Sequence, residues 1–262
     1  MRGKLPVLIL APLLLLGGCD AFFTNVFEGM YTLEVPSQAE LLTLPLSDLE
    51  RLAEDPQFFD ALAGDPAKEQ AVLDNLAPQF VDGTADTPEE QKAAALYAEV
   101  LLRTSGTFDI LGGGSFSALA DTLDQFELAA EAEYPNLISS LVMDLFDGRT
   151  PDLAEIDTML TSLGDAWSAY QAIGAGLAGG ASLDPSLNAG DMLVFAAVGA
   201  VVQGAVVTDP PGQDLADLID TALQGGDVSG YTITFTAPGV ADGDPLYELM
   251  MAAGFDPADL GL

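Results

Sequence analysis

The chain has 262 residues, of which 41 are acidic and seven basic, and its net charge at neutral pH is −34. Histidine is absent and cysteine occurs once, so the commonest general base and zinc ligand are missing and an intramolecular disulfide framework is excluded. Because phosphate binding needs clustered Lys and Arg, the composition also excludes nucleic acid as a partner. We therefore expect a protein that is not an enzyme and that holds no cofactor.

The N-terminus has the layout of a secretory signal. Arg2 and Lys4 precede an apolar run over residues 5–16, which is followed by Leu16-Gly17-Gly18-Cys19. The run covers only about 18 Å as a helix, whereas the hydrocarbon core of a bilayer is about 30 Å thick. With cysteine directly after two glycines, the tetrapeptide resembles the lipobox of bacterial lipoproteins.

This resemblance implies that residues 1–18 are a lipoprotein signal peptide and that Cys19 carries acyl chains such as palmitate. It places the protein in the bacterial cell envelope, anchored to the inner or outer membrane and facing the periplasm or the cell surface. We assign residues 19–36 to the lipid-anchored tether and 37–262 to a single helical domain.

The acidic excess has two open explanations. One is a carboxylate surface that binds cations or a basic partner. The other is solubility, because a strongly charged surface keeps proteins dispersed. Aspartate exceeds glutamate and lysine is scarce, and this bias resembles that of proteins from salt-adapted bacteria, where screening reduces self-repulsion.

Helix starts are marked by Asp-Pro or Thr-Pro pairs, which put a side-chain oxygen at the N-cap and proline at the first helical position. The first residues of these pairs are Asp55, Asp65, Thr87, Thr150, Asp184, Asp209, Asp244 and Asp256. Ser37 and Ser47 begin capping boxes with Glu40 and Glu50. Helix ends are predicted at Gly64, Gly106, Gly148, Gly190 and Gly254.

Apolar residues repeat with helical spacing between these signals, as in the predicted helix 88–104. We predict an all-α fold of about ten helices, stacked as antiparallel hairpins in an irregular bundle or a tetratricopeptide-like solenoid. Segments 31–35 and 231–236 alternate apolar and polar residues. They either pair as two short strands or serve as extended connections.

Two predicted helices, 165–180 and 191–207, are rich in small and apolar residues. Small residues recur every fourth position at Ala172, Gly176 and Gly180, and again at Ala196, Ala200 and Gly204. This spacing allows close backbone approach. The pair forms either a buried central hairpin or the walls of a cavity for a small apolar or lipid-like ligand. The residues that would line this cavity are Trp167, Tyr170, Phe195 and Val198.

The segment 160–180 contains Leu160-x-x-Leu163-Gly164-x-x-Trp167, followed by Gly176 and Gly180. It resembles the first helix and the small residues of one tetratricopeptide repeat. Helical-repeat lipoproteins are accessory parts of solute transport in some bacteria, and the resemblance implies a role of that kind.

The acidic loops 82–86 and 242–244 contain glycine but lack the twelve-residue pattern of an EF-hand, so we predict no metal site. The function we expect is that of a non-enzymatic, lipid-anchored scaffold or adaptor for protein partners or for solute transport. One alternative is a carrier of a small apolar ligand between helices 165–180 and 191–207. The other is a carboxylate-dependent hydrolase, which would use two facing carboxyl groups.

Overall fold

The fold is mostly helical with one small antiparallel sheet, as shown by a computed structural model that describes residues 33–80, 83–108, 151–209, 213–235 and 241–254. This confirms the prediction of an all-α fold with one short strand pairing. The lipobox with Cys19, the starts at Thr150 and Asp256 and the end at Gly148 lie outside these ranges.

Nine α-helices and two strands lie in the described ranges. The helices are α1 (Gln38–Leu41), α2 (Leu46–Ala53), α3 (Pro56–Ala63), α4 (Pro66–Leu76), α5 (Pro88–Thr104), α6 (Leu153–Ala178), α7 (Ala189–Gly204), α8 (Leu215–Leu223) and α9 (Pro245–Ala252). A 3-10 turn, Ala77–Phe80, extends α4, and the strands are β1 (Ala205–Asp209) and β2 (Thr232–Phe235).

The proline-marked starts are confirmed for four helices, α3, α4, α5 and α9. At α5 the Thr87 hydroxyl accepts from the Glu90 amide at 3.3 Å, and the Glu90 carboxylate accepts from the Thr87 amide at 2.9 Å. The cap thus satisfies amides that have no partner inside the helix. The capping box at Ser37 and the end of α3 at Gly64 are also confirmed.

The predicted start at Asp184 is wrong, because Asp184-Pro185 forms a turn between α6 and α7. The Leu187 amide donates to the Asp184 carbonyl at 3.0 Å, which closes the turn. The next helix, α7, begins at Ala189, where the Asn188 side-chain oxygen accepts from the Gly190 amide at 3.1 Å. Gly190 therefore lies in the first turn of a helix rather than at the end of one.

Helix α6 merges two predicted elements, the amphipathic stretch after Pro151 and the helix expected from Asp165. It begins at Leu153 with Asp152 as its N-cap, two residues after the position that Thr150-Pro151 predicts. Asp152 and Glu155 form a reciprocal capping box, with hydrogen bonds of 3.0 and 2.9 Å. This box stabilises the later start.

By contrast, α2 begins two residues earlier than Ser47 predicts, with Pro45 at the N-cap and Leu46 as its first residue. In the parts of the chain described, no helix is both long enough and apolar enough to cross a bilayer.

The core consists of two apolar clusters on either side of α5. The first cluster joins α1–α4 to α5, and the second joins α5 to α6–α9 and β2. Helix α5 contributes Ala93, Leu96, Val100 and Leu101 to the first cluster and Ala94, Ala98 and Leu102 to the second. It is thus buried along two faces.

The sheet corrects two expectations about the strands. Within segment 231–236, residues 232–235 form β2, which pairs with β1, with Val206 opposite Thr234 and Val207 opposite Ile233. Residues 31, 32 and 236 lie outside the described ranges. Residues 33–35 lie outside any strand. The helix predicted over 191–207 ends at Gly204, because the β-branched Val206, Val207 and Thr208 favour a strand.

Candidate functional site

The four residues predicted to line a cavity belong to one buried cluster. Trp167, Tyr170 and Phe195 are only 5%, 4% and 7% exposed, and Val198 is a half-buried residue packed against the same cluster. Burial raises the pKa of the Tyr170 phenol far above its usual value, and the nearby Glu99 adds to the effect. The structure therefore places three of these side chains inside the second cluster and Val198 at its edge.

Helices α6 and α7 touch backbone to backbone at Gly199. A Cβ atom at this position would lie 2.5 Å from the Leu163 carbonyl oxygen and 2.7 Å from Cβ of Trp167. Gln203 donates its side-chain N–H to the Gly164 carbonyl, 39 positions earlier in the chain, at 2.9 Å. The crossing leaves no space for a ligand beside Gly199.

Gly176 of the predicted stripe, together with Gly174, serves a different contact from the one predicted, and Gly180 lies beyond the end of α6. A Cβ at Gly176 would lie 2.7 Å from the carbonyl carbon of Ala85, and one at Gly174 would lie 2.6 Å from Cα of Pro245. The Ala85 amide also donates to the Ala172 carbonyl at 2.8 Å. These glycines let the loop before α5 and the start of α9 reach the backbone of α6.

Gln91, a buried polar residue on α5, ties this loop to the α6–α7 connection. Its side-chain N–H group donates to the carbonyls of Ala85 at 3.4 Å and Ser182 at 3.1 Å. Its side-chain oxygen accepts from the Asp184 amide at 2.8 Å. The sequence gives no sign of this role, because its partners lie up to 93 positions away.

Each basic side chain in the described ranges contacts an acceptor of the same chain. Arg51 lies 3.3 Å from Asp48, Lys92 lies 3.8 Å from Glu50, and Arg103 lies 2.8 Å from Glu99. The Lys68 ammonium donates to the Val35 carbonyl at 3.3 Å. These four positive charges are therefore used within the fold, where they contact acceptors of the same chain.

Arg103 also lies between two aromatic rings. Its guanidinium carbon is 4.8 Å from the centre of the Phe59 ring and 4.1 Å from that of Phe108, and Phe108 stacks on Phe195 at 5.4 Å. Burial raises the pKa of Glu99, while its charge-assisted hydrogen bond to Arg103 opposes that change. This ion pair joins the two apolar clusters at the end of α5.

A half-open cleft of about 230 Å³ lies between the 3-10 turn, α5 and α6. We call it the Asp165 cleft, after the carboxylate at its exposed rim. Its other lining residues include Ala77, Phe80, Tyr97, Ser168 and Ala169. The Phe80 and Tyr97 rings meet edge to face, with centroids 5.3 Å apart. The sequence does not reveal the cleft, because its residues come from three elements.

The electrostatics of the Asp165 cleft reflect partial burial. Loss of hydration raises the pKa of Asp165, and burial together with the charges of Asp165 and Asp74 raises the pKa of Tyr97. In the described part of the chain, none of the basic side chains lies within ion-pair distance of Asp165. The cleft therefore combines negative charge with aromatic and apolar walls.

The acidic loops form local hydrogen bonds at the starts of α5 and α9. The Glu90 carboxylate accepts from the Asp86 amide at 2.9 Å, and the Asp244 carboxylate accepts from the Ala241 amide at 2.9 Å. Asp82 lies outside the described residues. Within those ranges, no group of three or more acidic residues is placed to hold a metal ion.

No protein-family model matches the chain. No curated protein and no solved structure matches it either. Residues 160–178 form a continuous part of α6, whereas a tetratricopeptide unit is a helix–turn–helix. In the described ranges the resemblance to that repeat is therefore limited to the sequence.

Proposed function

We propose that the protein is a lipid-anchored, non-enzymatic component of the bacterial cell envelope. It serves as a scaffold or adaptor for protein partners or for solute transport. The observation that supports this most directly is the use of charge: the described cations engage acceptors of the same chain, while many carboxylates remain on the surface. Such a surface recognises basic partners through long-range attraction.

The anchor and the charge have separate tasks in this proposal. A surface poor in lysine and arginine gains nothing from anionic lipid headgroups, so attachment depends on the acyl chains at Cys19. Two acyl chains hold a protein on a membrane stably, whereas a single one binds only marginally. The acidic helices are then free to contact partners in the aqueous phase.

The anchor is tested by fractionating cells that express the wild type or Cys19→Ala. We expect the wild type in the membrane fraction, with acyl mass on the Cys19 sulfur and residues 1–18 removed. Cys19→Ala should be soluble or remain unprocessed. Gly18→Ala, which keeps a small residue before the cysteine, serves as the matched control and should behave as the wild type. A native chain that begins at Met1, or that lacks acyl mass, would refute the assignment.

The adaptor role is tested by cross-linking in intact cells, followed by measurement of partner affinity at increasing salt. Because the recognition is electrostatic, we expect a defined partner with a basic surface and an affinity that falls steadily as salt rises. An affinity that does not depend on salt would contradict a charge-based adaptor.

The two alternatives have less support. A carrier needs space between α6 and α7, and the close contact at Gly199 removes it at that crossing. A hydrolase needs two carboxyl groups held about 5–10 Å apart across a cleft. Both stay predictions from sequence.

A further inference from the structure

The Asp165 cleft has the composition of a site for a positively charged organic group. Asp165 supplies a carboxylate at the rim, and Phe80 and Tyr97 supply aromatic surface beside it. Ala77 and Ala169 add apolar wall. Carboxylates attract ammonium groups, and aromatic rings bind quaternary ammonium groups in particular through their electron-rich faces.

Other ligand classes fit this cleft less well. Calcium needs six to eight oxygen ligands, whereas the lining carries one carboxylate, one phenol and one hydroxyl, from Asp165, Tyr97 and Ser168. An anion would be repelled by Asp165 and by the chain's net charge of −34. A neutral apolar ligand would remove water from the carboxylate without compensating its charge.

We propose that the Asp165 cleft binds a small organic cation with an apolar body, of the alkylammonium or quaternary ammonium class. The cavity of about 230 Å³ is smaller than the roughly 300–1,000 Å³ of sites for drug-sized ligands, which limits the ligand to a few heavy atoms around its nitrogen. Binding of such a cation does not depend on the proposed function. Its role as a transported solute does rest on that proposal.

The test uses the full-length chain in a non-ionic detergent, at fixed ionic strength, with choline as the probe. Binding is followed by ligand-observed NMR, and 3,3-dimethylbutan-1-ol serves as a neutral ligand of nearly the same shape. We expect saturable binding of choline and binding of the alcohol that is at least about tenfold weaker, because only choline pairs with the carboxylate.

Two exposed aspartates on α6 provide a matched pair of variants. Asp165→Asn should weaken choline binding about tenfold or more, whereas Asp157→Asn, the same change of charge eight residues earlier, should leave it unchanged. Ser168→Phe fills the cleft from an exposed position and should abolish binding. Circular dichroism checks that each variant keeps its helical content.

Three results would overturn the proposal: equal binding of choline and the alcohol, equal effects of Asp165→Asn and Asp157→Asn, or no saturable binding of choline. The second would show that the cation is held only by the general negative field. None of these results bears on the anchor, which is tested separately by the acyl mass on Cys19.

Discussion

Gly176→Ala tests the packing of α6 against the loop before α5. Gly176 lies within α6, and the new methyl group would stand 2.7 Å from the carbonyl carbon of Ala85. Carbon atoms prefer separations of about 3.5–4.0 Å, so the loop would have to move by about 1 Å. Ala85 is fully buried, and its amide donates to the Ala172 carbonyl at 2.8 Å, so this displacement strains a packed contact.

The expected magnitude combines three effects. Alanine in a helix interior is favoured over glycine by about 1 kcal/mol. Overpacking costs about 1–3 kcal/mol, and weakening a hydrogen bond costs about 0.5–1.5 kcal/mol. We therefore expect Gly176→Ala to lower the free energy of unfolding by about 2 kcal/mol.

Gly164→Ala is the matched control, because it makes the same substitution in the same helix. Its new methyl group would meet only the end of the Gln203 side chain, at 3.3 Å, and this side chain can shift by a few tenths of an ångström while it keeps its hydrogen bond to the Gly164 carbonyl. The helix preference for alanine then decides the result, and the free energy of unfolding should stay the same or rise by up to about 1 kcal/mol.

The assay is urea unfolding followed by circular dichroism and by the fluorescence of Trp167, which is the only tryptophan and is buried. The two midpoints for each variant should agree if unfolding is two-state. A Gly176→Ala variant as stable as Gly164→Ala would refute the reasoning, because the loop would then not touch α6.

Three other predictions concern polar contacts and charge. Gln91→Leu should lower the free energy of unfolding by about 2–3 kcal/mol in urea, because the half-buried Asp184 amide loses the buried Gln91 oxygen as its acceptor. Gln70→Leu, on the exposed face of α4, should change it by less than about 0.5 kcal/mol. The hydrogen bond from the Thr87 amide holds the pKa of Glu90 below its ordinary value of 4.5. The stability that Glu90 adds is therefore fully present above pH 4.5, and it is lost as the pH falls through the lower pKa of the folded state. The stability difference between the wild type and Glu90→Ala should thus shrink on acidification, and a difference constant from pH 6 to pH 3 would contradict this. Raising NaCl from 0.1 to 1 M shortens the Debye length from about 10 to 3 Å. The melting temperature should rise, because repulsion between the carboxylates of the chain weakens. A lower melting temperature at 1 M NaCl would argue against self-repulsion.

Helix starts were predictable where the signal is local. A cap involves an N-cap residue and the three residues after it, so Asp55, Asp65 and Thr87 could be assigned from the sequence. Asp184-Pro185 carries the same local signal but forms a turn, and its amide bonds to Gln91 from 93 positions away. A tertiary contact of this kind is invisible in the sequence.

The end of α7 shows a second limit. Residues 192–207 are apolar almost without interruption, and such a run has no period that separates helix from strand. The strand from Ala205 depends on its partner β2, which begins at Thr232. The Asp165 cleft is hidden for a related reason, because only the folded chain brings Phe80, Tyr97 and Asp165 together.

The two-sided burial of α5 limits how the polypeptide can be divided. No residue from Glu90 to Thr104 is exposed, although an ordinary surface helix keeps one face in water. A fragment that retains α5 with only one cluster would leave the apolar residues of the opposite face uncovered and prone to aggregate. Protein engineers who insert tags or cleavage sites should therefore leave this helix attached to both of its neighbouring layers.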